Sequence, residues 1–336
     1  MGNIIEQFLR ILGQVFYFLY NTVGFHNFGL TIIFFTLITK LALMPLTIKS
    51  QKSTQEMNAI QPEVKKIQEK YKNDKEKQNQ EIQKLYKENN VSCMGGCLPM
   101  LLQFPILIAL YSVLRRPLTL VVGKSTEAIL AIANSLPENL RDFIVFTGNA
   151  PETFEKINQL NELKLIDFLA NNPQYLNSTV TSADLINLKF LGLDLGKVPQ
   201  WQVWNIPKEE LGIYLPLLIL PVIAVIMTVI SQRLMQPPKK EEPKKGGKPD
   251  EKNPAAGMTT AMKYMIPGMT LYFSFILPAS MALYWIITYA FQIFQTMIMN
   301  RMKKKKAEEA AQNKDNAPKK IEKQKDDKKK LDGGKK

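Results

Sequence analysis

Residues 28–48, FGLTIIFFTLITKLALMPLTI, form an apolar run of 21 residues broken by one charge, Lys40. At about 1.5 Å of rise per residue, such a run as a helix crosses a hydrocarbon core of about 30 Å. Working outward, four more runs qualify: roughly 95–114, 211–230, 262–277 and 279–299. Only Leu277-Pro278-Ala279-Ser280 separates the last two, so they read as a tight helical hairpin. Prolines 45, 99, 105, 216, 221 and 267 lie in or beside these runs. Packed membrane helices tolerate proline where neighbours satisfy the freed backbone groups. The near-neutral average hydropathy hides this division, because lysine-rich stretches alternate with the apolar ones. The fold class expected is an all-α membrane protein with five transmembrane helices, rather than one or two soluble domains.

Charge sets the orientation. Segment 49–93 carries ten Lys/Arg, segment 231–261 seven, and the tail from Arg301 fifteen. Segment 117–210 carries seven against eleven Asp/Glu. The positive-inside rule places the first three in the cytoplasm, giving an outside N-terminus and an inside C-terminus. The stretch 3–23 differs in kind. Asn3, Gln7, Arg10, Gln14, Tyr17 and Asn21 recur at steps of three and four, opposite Ile4, Ile5, Phe8, Leu12, Val15, Phe16 and Leu19. That pattern fits a helix lying in the outer interface. The weak basic region, with Arg10 after Glu6, and the lack of a small-residue cleavage site argue against a cleaved signal peptide.

Residues 50–90 read as a charged helical hairpin in the cytoplasm. Met57, Ile60, Val64, Ile67 and Tyr71 make one seam and Ile82, Leu85 and Tyr86 the other, with Asn73 and Glu76 resembling a capping box. The organisation expected is therefore an interfacial amphipathic helix at 1–24, transmembrane helices at 25–49, 94–116, 211–231, 261–278 and 279–300, and a helical hairpin at 50–93. An extracytoplasmic segment at 117–210, a flexible loop at 232–260 and a basic disordered tail at 301–336 complete it. The loop and tail hold too few large apolar residues to bury a core. Segment 117–210 has enough Leu, Ile and Phe, with a helical pattern near 152–170, for a small external domain.

Lys40 is the most informative residue. An intramembrane charge costs about 2.5–3.5 kcal/mol on insertion scales, so such groups face a bundle interior or a water-filled cavity. Thr36 sits one turn away on the same face. The competing reading is a side chain snorkelling to the cytoplasmic headgroups, which about 12 Å of helix below Lys40 disfavours. Gln103, Gln232, Gln292 and Gln295 add polar groups to other runs, as groove lining or as helix–helix glue. Tyr284 and Trp285 open the last run, where an aromatic belt is the alternative to a specific role.

Enzymatic chemistry has little support. Gly123-Lys124-Ser125-Thr126 echoes the end of a phosphate-binding loop without the upstream glycine at position 118. The two cysteines, Cys93 and Cys97, and the one histidine, His26, have no partners for a metal site or a disulfide framework. No catalytic residue, cofactor or metal is expected. Asn177-Ser178-Thr179 is a weak glycosylation pattern.

The run Thr39-Lys40-Leu41-Ala42-Leu43-Met44-Pro45-Leu46-Thr47, then Gln61-Pro62-Glu63 and Lys70-Tyr71, resembles the first span and cytoplasmic hairpin of the YidC/Oxa/Alb insertases. Met94-Gly95-Gly96-Cys97-Leu98-Pro99, continuing through Gln103 and Pro105, is similar to their next span, and Ser280 through Tyr284-Trp285 to their last. The resemblance covers about 28–116 and 211–302. It implies a five-helix core around a hydrophilic groove, open to cytoplasm and lipid and closed outside, with a basic residue at the position of Lys40. Arginine is the more usual occupant. Thr36 and Gln232 match groove positions, with Gln103 on the second span. Leu107, Phe273, Tyr284 and Trp285 match positions that touch client chains. The external segment is longer than in compact members, and no lipoprotein-type cysteine stands near the N-terminus.

The function implied is insertion and folding of client membrane proteins, with or without the Sec translocon. Expected partners are nascent membrane proteins, the ribosome through the basic tail and cytoplasmic loops, the translocon and the lipid bilayer. A monomer in the bacterial plasma membrane is expected. Simple solvation is the alternative for the tail. A solute transporter or channel using the buried lysine is the competing class, although no internal repeat is visible. A passive chaperone for helices already inserted is another.

Overall fold

The computed structural model describes residues 2–89, 98–136, 162–235 and 254–332. The chain divides into two compact units, Met1–Ala290 and Phe291–Lys336. The helices in order are α1 (Gly2–Asn21), α2 (Phe28–Ala42), α3 (Met44–Ala59), α4 (Gln61–Lys70), α5 (Lys75–Glu88), α6 (Leu98–Arg115), α7 (Thr126–Ser135), α8 (Glu162–Asn171), α9 (Leu211–Leu217), α10 (Ile219–Met235), α11 (Pro254–Ser274) and α12 (Ala279–Asp332). A hairpin of two short antiparallel strands, β1 (Lys189–Phe190) and β2 (Leu193–Asp194), lies between α8 and α9.

Among the described residues, Leu211–Met235 and Ala279–Lys305 are long and apolar enough to cross a membrane, and the bent pair starting at Phe28 makes a third. The fold is helical and membrane-embedded in character, with up to three such crossings among the described residues. The first expected span is not one straight rod. α2 stops at Ala42, and the chain turns by 68° into α3. Proline explains the break: Pro45 has no N–H to extend the α2 ladder, yet it fits the first turn of a new helix. α3 then runs on to Ala59.

Two other expectations need correction. The fourth run was placed at 262–277, whereas α11 begins at Pro254 and ends at Ser274. The tail was expected to be unstructured, yet α12 continues to Asp332. Lysine and alanine make up much of that stretch, and both are good helix formers. The loop expected at 232–260, the motif Cys93–Cys97 and the pattern beginning at 152 fall largely outside the described residues.

In the charged hairpin, Ile60, Val64 and Ile82 are buried while Met57, Ile67, Tyr71, Leu85 and Tyr86 are half-buried around them. Asp74, not Asn73, caps α5, accepting from Lys77 N at 3.0 Å. Gln78 Nε2 donates to Gln68 O at 3.0 Å and ties the two arms.

α1 does more than lie flat. Leu9, Gly13, Phe16, Leu19 and Tyr20 are buried, and Phe16 meets the rings of Phe28 and Phe35 on α2 at 5.5 and 5.6 Å. Ile5, Phe8, Ile11, Val15 and Phe18 remain exposed on another face. Val15, expected to share the apolar face with Phe16 and Leu19, thus points elsewhere. Gly13 sits against a π-helical turn, Pro117–Val122, so closely that a Cβ there would lie 1.9 Å from Leu120 O. The turn ends at Gly123 with φ 81°, a left-handed conformation that glycine adopts without strain. The phosphate-loop echo at Gly123-Lys124 is therefore a helix stop. Lys124 Nζ bonds Asp184 Oδ2 at 2.9 Å and Thr179 O at 2.8 Å.

α10 and α11 pack along their length through small residues. Ala224, Thr228 and Ser231 on one and Thr270 and Ser274 on the other are buried. Small side chains bring membrane helices close enough for van der Waals contact where hydrophobicity gives no drive.

The described residues of segment 117–210 share their core with the helices around them. Ile129, Ile132, Leu165, Leu169, Val180, Leu188 and Leu195 belong to one apolar cluster with Phe28, Ile32, Leu110, Leu114 and Leu217 of the bundle. Its hairpin clasps helix starts. Asn27 caps α2 by accepting from Leu30 N at 3.1 Å, and its Nδ2 donates to Lys189 O at 3.0 Å. Ala279 N and Ser280 N, at the start of α12, donate to Lys197 O and Leu195 O at 2.8 and 3.0 Å. Phe28 N at the start of α2 donates to Asn187 O at 3.2 Å, so free N–H groups of both helix starts find partners on one loop.

Candidate functional site

Lys40 lies in the last turn of α2, half-buried, with the helix ending two residues later at Ala42. Backbone carbonyls collect at a helix C-terminus, which favours a cation there. The long helical stem expected below Lys40 does not exist as such, because the chain bends at Leu43. Helix length therefore no longer disfavours snorkelling of Lys40.

Thr36 is fully buried, and its hydroxyl donates to Ile32 O at 2.6 Å. Thr39 likewise donates to Phe35 O at 3.0 Å and Thr36 O at 2.9 Å. Threonine in an apolar helix commonly satisfies itself this way. A polar stripe therefore leads to Lys40 at no cost in unpaired hydroxyls.

Other polar atoms are not so satisfied. Ser50 Oγ and Gln51 Oε1 on α3, and Ser231 Oγ and Gln232 Nε2 on α10, are buried without a hydrogen-bond partner among the described residues. Thr288 Oγ1 on α12 shares that state. Buried polar atoms cost about 1–3 kcal/mol when unpaired, so such groups usually meet water. Gln232 was expected from sequence. Ser50, Gln51, Ser231 and Thr288 were not, because nothing in a serine or threonine reveals that its hydroxyl lacks a carbonyl within reach. The side chain of Gln103 lies outside the described ones.

The apolar candidates converge. Tyr284 is 1% exposed and Trp285 9%, both within the central cluster, and Leu107 and Phe273 pack against it. Burial this deep overturns the aromatic-belt reading of Tyr284 and Trp285, since belt residues face headgroups. His26 sits in the loop before α2 with φ 55°, its ring edge-on to Tyr20 at 5.5 Å. No group of three or more metal-binding side chains occurs among the described residues.

One site escaped the sequence reading. Glu162, 2% exposed, accepts from Leu118 N at 2.7 Å, Thr119 N at 3.1 Å and the Thr119 hydroxyl. It fastens α8 to the π-helical turn that follows α6. Arg116, beside it, also pairs with Glu6 of α1 at 3.5 Å.

Residues 18–307 match the model of a family described as 60Kd inner membrane protein. The chain belongs to that family. Several relatives carry the name Membrane protein insertase YidC, in agreement with the family resemblance. The one from Clostridium tetani is 60% identical over 88 residues, covering 26% of this chain and 40% of the relative. The one from Fusobacterium nucleatum subsp. nucleatum is 47% identical over 115 residues, covering 34% and 53%. The Membrane protein insertase YidC 1 of Lactococcus lactis subsp. lactis is 30% identical over 294 residues, 85% of this chain and 74% of the relative. The chain thus spans about two fifths to a half of the length of the first two. The 60Kd inner membrane protein match encloses Thr36, Lys40, Leu107, Gln232, Phe273, Tyr284 and Trp285, and residues 117–210 as well.

Proposed function

We propose that this chain is a membrane protein insertase and chaperone. Lys40 marks a hydrophilic groove entered from the cytoplasm. The observation that carries the reading is a cationic side chain at the bend of the first apolar helix, inside the region matched by the insertase family. The unpaired polar atoms of Ser50, Gln51, Ser231 and Gln232 support water reaching the middle of α3 and the last turns of α10. In this reading α2 with the bend, α6, α9–α10, α11 and the first part of α12 are five spans. The N-terminus is outside and the C-terminus in the cytoplasm.

Inserting a client is a partition problem: its apolar helix gains from lipid, while its polar flank must cross a barrier. A wet pocket shortens that barrier. Two unit charges 4 Å apart at an effective dielectric near 20 attract by about 4 kcal/mol, comparable with the cost of a carboxylate in lipid. Lys40 therefore draws acidic residues of the translocated segment inward, and the client helix leaves along an apolar face near Leu107 and Phe273. The hairpin α4–α5 and the basic tail receive ribosome-bound clients by salt-sensitive attraction, and the Sec translocon shares some of them.

The hairpin clasp on α2 and α12 favours this reading over a channel, which needs a path through the outer side. An in vivo insertion assay with an acidic-tailed single-span client tests it. Lys40→Ala should reduce insertion at least tenfold, the effect of about 1.4 kcal/mol, and Lys40→Arg should restore it. Full activity of Lys40→Ala would remove the electrostatic role.

A further inference from the structure

The external segment carries an unexplained pair of aromatic side chains. Trp201 and Trp204 are 57% and 69% exposed, yet they hold each other edge-to-face, with ring centroids 5.5 Å apart and planes at 84°. The turn that bears them is firmly built. Asn205 N donates to Gln202 O at 3.0 Å, Asn205 Nδ2 reaches Gln202 Oε1 at 3.2 Å, and Ile206 is buried behind it. This 3-10 turn, Val203–Asn205, packs against α9.

α9 opens the more apolar of the two single-helix crossings. Ile213, Leu215, Ile219, Val222, Ile226 and Ile230 stand exposed at mostly three- and four-residue steps along α9 and α10. On a spanning helix that face meets lipid. The tryptophan turn packs at its outer start, where hydrocarbon gives way to headgroups. Indole suits that layer, with an apolar body and one N–H for the wet side. Gln200, Gln202 and Asn205, beside the two rings, belong in a polar, hydrated setting rather than in a dry protein interface.

We propose that Trp201 and Trp204 seat the external segment in the outer-leaflet phospholipid headgroup layer, making it a collar resting on the bilayer. The inference rests on the membrane reading above. It assigns to segment 117–210 a lipid surface as its partner.

The sequence supplies a clean readout, since Trp285 is the only other tryptophan. The full-length Trp285→Phe chain is reconstituted in phosphatidylcholine–phosphatidylglycerol vesicles, with bromine on the acyl chains either near the headgroup or near the terminal methyl. Shallow bromine should quench the emission several-fold more than deep bromine, and aqueous iodide should quench it only weakly. Because Trp285 is buried, a second comparison uses the native residue: the double variant Trp201→Phe, Trp204→Phe should lose the shallow-quenched component. Strong iodide quenching without bromine quenching would mean the pair is solvated. Resistance to all three quenchers would mean that protein covers it. Either result overturns the proposal. A chain that fails to float with the vesicles would instead overturn the membrane reading.

Discussion

Glu162 receives three hydrogen-bond donors and still holds its proton more tightly than an ordinary glutamate. Burial is the largest influence and pushes its carboxyl up from 4.5 to about 7, against the opposing pull of Thr119, Leu118 and Arg116. The geometry suits the protonated form, because Thr119 Oγ1 can accept from the acid while the two N–H groups bond its other oxygen. The folded state therefore binds the proton better than the unfolded one. Its contribution is full below about pH 4.5 and is lost as pH rises through about 7. The stake is on the order of 3 kcal/mol. Glu162→Gln, which mimics the protonated acid, should match the wild type in thermal unfolding at low pH and exceed it above pH 7. Glu162→Ala should lose about 1–3 kcal/mol by stranding two N–H groups. A Glu162→Gln protein that keeps the wild-type pH slope would count against this account. Lys40 was legible from sequence because a lone charge in an apolar run is rare. Glu162 was not, for it looks like any acidic residue opening a helix, and its partners lie 43 and 44 positions away.

Among the elements, the helices were legible and their joints were not. Apolar runs and heptad seams locate α2, α6, α9–α10 and the α4–α5 hairpin. The bend at Leu43 was open to foresight in Pro45, but tolerance of proline in membrane helices masked it. The packing of α1 was hidden because a helix with apolar residues on two faces gives no sign of which one meets protein. Gly13 decides that. Its contact with the π-helical turn leaves no room for a side chain, so Gly13→Leu should detach α1 and lower the melting temperature in detergent. A value within error of the wild type would show that this contact is not tight. Asn27 makes a milder prediction. Its loss in Asn27→Ala removes both a helix cap and the bond to Lys189 O, and should cost about 1–2 kcal/mol in the same assay.

For the whole molecule, alternation of apolar and basic stretches was enough to read a helical membrane protein, and the family match over 18–307 agrees. The orientation we propose predicts thiol accessibility in a cysteine-free background. A membrane-impermeant reagent on intact cells should label Thr179→Cys and spare Lys66→Cys; the reverse pattern would invert the topology. What the sequence could not convey is the integration of residues 117–210 with the bundle, which depends on long-range contacts rather than on any local pattern. Those contacts have a mechanical consequence. The β1–β2 hairpin fixes the N-terminus of α2 and leaves Lys40 toward the opposite tip. A rod pinned that way behaves as a lever: a tilt of about 10° over its 15 residues carries the far tip roughly 4 Å and the pinned tip almost nowhere. In the groove we propose, an incoming helix is admitted by swinging the inner ends apart while the outer ends stay pinned, so widening and leakage are mechanically uncoupled.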